Sequence, residues 1–104
     1  MRRFIMYSEL KPEKREEYIE LHANTWPEIL EIITKCNIRN YSISIRGNEL
    51  YTYYEYVGED YDADMAYMDA QPIMLEWWKH TKPCFKHHDK GEYYEDLQEI
   101  FYNP

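Results

Sequence analysis

The sequence has only three glycines in 104 residues and no run of glycine and serine, so it offers no flexible linker from which a second domain could hang. Cysteine is scarce too. Cys36 and Cys84 are too few for a disulfide framework, and with no export signal ahead of them they read as free, buried thiols. The first nine residues, Met-Arg-Arg-Phe-Ile-Met-Tyr-Ser-Glu, lack the apolar stretch and cleavage site of a secretory leader, and no apolar run is long enough to span a bilayer. A cytoplasmic protein without a membrane partner is expected. Basic residues are outnumbered, 12 Lys and Arg against 20 Asp and Glu, for a net charge of −8. A chain this acidic repels phosphate backbones and carries no cationic stripe to offset the repulsion, which argues against nucleic acid as a partner. A neutral small molecule meets no such objection.

The chain is rich in rings that carry a polar handle. Twelve residues are Tyr and three are Phe, within a hydrophobic content of 44%. Phenols suit a wet pocket or an interface better than a dry core.

The patterning reads as one domain over residues 1–104. Residues 2–10 alternate, with Phe4, Met6 and Leu10 on one side and Ile5 and Tyr7 on the other, as in a strand. Pro12 opens a helical stretch whose large residues recur at Tyr18, Leu21, His22, Thr25, Ile29, Ile32 and Cys36. Pro27 interrupts it, predicting a kink or a break and restart, with Thr25-Trp26-Pro27-Glu28 matching a capping box. Residues 38–46 alternate again, Gly47-Asn48 is a hairpin turn, and Leu50–Val57 returns as a tyrosine-rich strand. Helices are expected at 60–70 and 72–82, then a loop at 83–94 and a closing strand at Leu97–Tyr102. This β-α-β-β-α-β order predicts a ferredoxin-like α+β fold, an antiparallel sheet with helices on one face. The other face would carry Tyr and Ile, and a second copy of the chain is its simplest cover, which predicts a homodimer of the dimeric α+β barrel type.

Tyr18 and His22 lie four apart and share a helix face. Tyr41 is the first large residue of the second strand, and Trp77 and Trp78 are adjacent on the last helix. Aromatic faces pack on the C–H face of a pyranose, while phenols and imidazoles bond its hydroxyls. Spacing alone leaves these residues open to a structural reading, as a helix-face histidine, a core tryptophan pair and incidental tyrosines. A second cluster, His80, Cys84, His87 and His88, superficially resembles a metal site. Its irregular spacing and the lysines around it argue against metal binding.

The segment Glu17–Glu28, read as E-Y-x-x-x-H-x-x-x-W-P-E, resembles the first signature of the L-rhamnose mutarotase family. Asn40-Tyr41-Ser42-Ile43, Glu76-Trp77-Trp78-Lys79 and Leu97-Gln98-Glu99-Ile100-Phe101-Tyr102 resemble its later motifs, in the same order across the whole chain. The resemblance implies a homodimeric isomerase that interconverts the α and β anomers of L-rhamnose or a close relative, with no metal or organic cofactor. It implies His22 as the catalytic proton donor, and Tyr18, Tyr41, Trp77 and Trp78 as residues that bind the monosaccharide. Mutarotation opens and recloses a hemiacetal, which positioned acid–base groups can achieve alone. Two departures stand out: Thr25 ahead of Trp-Pro, and the stretch Pro83–Glu95, which could cap the pocket and alter the sugar preferred. The alternatives are a barrel of the same fold acting on a different hydrophobic or aromatic molecule, or a sugar-binding domain without catalysis.

Overall fold

The computed structural model describes residues 1–87 and 93–104. Strand β1 (Arg2–Glu9) leads through a short 3-10 turn at Pro12–Lys14 into helix α1 (Arg15–Ala23). Helix α2 (Pro27–Lys35) follows, then the hairpin of β2 (Ile38–Arg46) and β3 (Glu49–Tyr56), helices α3 (Tyr61–Asp69) and α4 (Pro72–Thr81), and a two-residue strand β4 (Glu95–Asp96). The four strands form one antiparallel sheet in the order β2-β3-β1-β4, the ferredoxin-like arrangement the pattern predicts.

Each of the two helical segments is split in two, and proline is the reason. Pro27 and Pro72 each occupy the first turn of a new helix, where the missing N–H costs nothing. Ahead of Pro27 the backbone at Trp26 is extended, so the long helix breaks and restarts. The capping box does not form: Thr25 instead donates its hydroxyl to the carbonyl of His22 at 3.0 Å, sealing the end of α1. Asp60 does cap α3, accepting from the Ala63 N–H at 3.1 Å. Gly47 turns the hairpin at φ 61°, a left-handed conformation that glycine adopts freely.

The sheet presents Phe4, Met6, Ile38 and Tyr54 to the helices, where they meet Ile29, Met68, Met74 and Trp77. A second cluster, Leu10, Tyr18, Leu50, Cys84 and Phe85, closes the other end. Cys36 and Cys84 are buried and unpaired. The opposite sheet face carries Ile5, Tyr7, Tyr51 and Tyr53, with the three phenols hydrogen-bonded to Glu9, Glu49 and Glu55.

The expected closing strand at Leu97–Tyr102 is not formed. Pairing to β1 stops at Glu95–Asp96, opposite Tyr7 and Met6, with one further bond from the Leu97 N–H to the Ile5 carbonyl. Beyond it the tail follows β1 through side chains only: Glu99 pairs with Arg3 at 2.6 Å, and the Arg3 guanidinium lies over the Tyr102 ring. Ile100 is 91% exposed and Phe101 82%, so their apolar character finds no partner among the described residues and supplies no force to close the ladder. No helix among the described residues is long and apolar enough to cross a membrane.

Candidate active site

Between the inner sheet face and helices α1 and α4 lies a cavity of about 370 Å³. All five residues singled out in the sequence line it: Tyr18, His22, Tyr41, Trp77 and Trp78. They arrive from three separate elements. Helix α1 brings Tyr18 and His22 together one turn apart, with ring centroids 4.2 Å from each other. Strand β2 brings Tyr41 by means of an irregularity, since its register against β3 slips between Arg39 and Ser42, and Asn40 takes a φ of 51°. The Tyr41 ring then stacks on Tyr54 of β3 at 5.7 Å. Helix α4 brings the two tryptophans in different environments. Trp77 is buried and meets His22 and Trp26 edge-on at 5.6 and 5.0 Å, whereas Trp78 is half-buried beneath the Lys82 ammonium.

His22 lies in the last turn of α1. Its Nδ1 lies 3.0 Å from the carbonyl oxygen of Tyr18, and a carbonyl can only accept. Nδ1 therefore carries the hydrogen. Burial holds the imidazole below its ordinary pKa of 6.5, with the Tyr18 carbonyl opposing that trend only partly. The ring is neutral at pH 7, and in the neutral Nδ1–H tautomer its Nε2 is a free lone pair. Burial also raises the Tyr18 phenol well above its usual range, so it stays a neutral donor.

Three tyrosines escaped the sequence reading. Tyr54 sits on the inner face by strand alternation, a signal that the periodicity of β3 already carried; its hydroxyl bonds to that of Tyr61 at 2.6 Å. Tyr93 and Tyr94 also line the cavity, and they come from the loop whose folding no periodicity announces. Asp69 and Lys82 are charged groups in the wall. The suspected metal cluster does not assemble among the described residues: His80 packs edge-on to Trp26, Cys84 faces Glu17 and the His80 carbonyl, and His87 stacks on Tyr93. His88 lies outside the described residues.

The α+β sheet encloses an aromatic, hydroxyl-lined cavity around one neutral imidazole, a lining that suits an enzyme acting on a small carbohydrate. The L-rhamnose mutarotase family model matches residues 3–103. The chain is 34% identical over 94 residues to the L-rhamnose mutarotase of Oceanobacillus iheyensis, covering 88% of each chain. It is 32% identical over 101 residues to that of Lactiplantibacillus plantarum, covering 94% of this chain and 92% of that one. Among solved structures, the L-rhamnose mutarotase of Formosa agariphila superposes with a TM-score of 0.78 at 20% identity over the full length of both chains. Tetracenomycin F2 cyclase from Streptomyces glaucescens shares the fold at a TM-score of 0.70 and 12% identity, again over both chains in full. The chain belongs to the L-rhamnose mutarotase family, isomerases acting on carbohydrates.

Proposed function

We propose that this chain interconverts the α and β anomers of L-rhamnose or a closely related aldose, with His22 as the group that moves the anomeric proton. The observation that carries the reading is the Nδ1–H···O=C bond from His22 to Tyr18, which leaves Nε2 as a base at the cavity wall. In ring opening, Nε2 takes the proton of the anomeric hydroxyl. The O–H electron pair becomes the second bond of the C1 carbonyl, the C1–O5 bond breaks, and O5 accepts a proton from a hydroxyl donor. Rotation about C1–C2 turns the carbonyl face. On closing, O5 returns its proton and attacks C1, and the His22 imidazolium donates to the carbonyl oxygen. His22 is thus acceptor in one half-reaction and proton donor in the other, and the enzyme ends unchanged. No cofactor enters this scheme. Tyr18 and Tyr41 hydrogen-bond the sugar, and Trp77 and Trp78 offer it their faces.

The same proposal extends to the assembly, a cytoplasmic homodimer of single-domain chains. The outer sheet face, with Ile5, Tyr7, Tyr51 and Tyr53, and the exposed Ile100 and Phe101 of the tail support it, because a second copy would cover both. Two unpaired cysteines fit a reducing compartment.

The test is His22→Ala, read as anomer exchange by saturation-transfer NMR. A positioned acid–base group contributes about 10²–10⁴-fold, so exchange should fall by that factor while the fold persists. Exchange near that of the parent removes His22 from the mechanism.

A further inference from the structure

Tyr94 lines the cavity, and its ring packs against Phe85. On one side, Phe85 bridges to Leu10, and the rings of Tyr93 and Tyr94 lie 4.8 and 5.5 Å from the Phe85 ring. Immediately after Tyr94, Glu95 and Asp96 pair with Tyr7 and Met6 of β1. Both tyrosines pack on the cluster that contains Tyr18 and Leu50. Phe85, Tyr93 and Tyr94 therefore form part of the cavity wall, with the backbone anchored to β1 directly after Tyr94.

The Tyr94 phenol faces a set of hydroxyls. Burial raises its pKa, and the nearby phenols of Tyr41, Tyr18, Tyr93 and Tyr54 push in the same direction. It therefore stays protonated throughout the working range. Tyr54 spends its hydroxyl on Tyr61. The Tyr94 hydroxyl has no hydrogen-bond partner among the described residues. A ligand oxygen in the cavity would give this donor the acceptor that the described residues do not.

We propose that Tyr94 is a sugar-contacting, specificity-determining residue: its phenol donates a hydrogen bond to one ring hydroxyl of the bound aldose, and so selects sugars that carry an oxygen at that position. The inference rests on the mutarotase reading of the cavity. A site built to bond a hydroxyl rejects analogues without it, because the site's own group is then left unpaired.

The experiment is Tyr94→Phe, which keeps the ring and its packing on Phe85, assayed by anomer exchange with L-rhamnose and its 2-, 3- and 4-deoxy analogues. One neutral hydrogen bond corresponds to about a 3- to 10-fold change, so KM for L-rhamnose should rise by that factor with kcat within about twofold. For one analogue, the one lacking the contacted hydroxyl, parent and variant should have the same KM. An unchanged KM for every sugar overturns the proposal, as does an equal loss for every sugar, which marks a structural role. A collapse of kcat with KM unchanged also overturns it, by placing Tyr94 in proton transfer instead. The parent with L-rhamnose is the separate control: no acceleration there defeats the mutarotase reading itself, whatever the variant does.

Discussion

The direction in which activity changes with pH separates the two roles that a histidine can play at this site. If His22 rests as the neutral Nδ1–H tautomer, only the unprotonated form can begin ring opening. Its pKa lies below 6.5 because the buried imidazolium loses hydration that the Tyr18 carbonyl restores only in part. Enzymatic kcat/KM should then be flat from pH 7 upward and fall as pH drops through that lowered pKa. Each further unit of acidity removes about tenfold of the base form, until the residual rate without His22 is reached, about 10²–10⁴-fold down. No descending limb should appear up to pH 9, because burial pushes the Tyr18, Tyr54 and Tyr94 phenols upward from 10.0 and keeps them protonated.

The assay is saturation-transfer NMR on L-rhamnose from pH 5 to 9, with the enzyme-free rate at each pH subtracted, since acid and base open sugars on their own. A rate that climbs as pH falls below 6.5 would refute the base assignment and make imidazolium the resting reactive form. The same shift has a signature in stability that owes nothing to activity. Between the lowered pKa and 6.5 the unfolded chain binds the His22 proton and the native chain does not, so stability falls as pH drops through this window. Above 6.5 both states are neutral and the His22 contribution to the slope vanishes. Parent and His22→Ala should therefore differ in the pH dependence of Tm only below pH 6.5.

The two tryptophans should separate experimentally. Trp77→Ala empties a buried site against Trp26 and should cost about 3–5 kcal/mol in urea unfolding, whereas Trp78→Ala at its half-buried position should leave stability near that of the parent and raise KM. Equal stability losses would contradict this division. Gly58→Ala should destabilise by about 2–4 kcal/mol in the same measurement, because a Cβ there would lie 2.6 Å from the Tyr56 ring carbon that bears the hydroxyl and 2.8 Å from Asn37 Nδ2. It would force apart the Tyr56–Asp64–Asn37 hydrogen bonds that tie β3 to α3; an unchanged midpoint would show that the contact relaxes freely. Ile5→Asp, on the outer sheet face, should convert a micromolar dimer to monomer in sedimentation velocity, and a parent that already sediments as a monomer would remove the dimer.

How much of this was legible in the sequence depended on which force governed each part. The hairpin and the order of elements were readable because alternation and the Gly47-Asn48 turn are local signals, and β2 spans Ile38–Arg46 as its pattern predicts. The break at Pro27 was readable as well, since a missing N–H acts wherever it occurs. The direction in which Thr25 would turn was not, because its hydroxyl could bond the following helix or the preceding one, and the choice fell to the His22 carbonyl. The closing strand failed for a different reason. Leu97–Tyr102 has strand composition, but a strand also needs a neighbour, and pairing along β1 ends at Met6.

The cavity divides in the same way. Tyr18 and His22 were found together because helical spacing places residues i and i+4 side by side, and Tyr54 could have been found by counting twos along β3. Tyr93 and Tyr94 have no such rule. They reach the cavity because Phe85 pairs back to Leu10 and Glu95 pairs back to Tyr7, contacts to β1 and the residue just after it, more than seventy residues earlier in the chain. Contacts so distant in sequence leave no period to detect. The part of the site that the sequence conceals is therefore the part held by long-range pairing. A change at Tyr94 leaves the His22–Tyr18 bond in place, because that bond lies within α1. On the proposed reading, sugar preference and proton transfer in this chain therefore rest on separate groups.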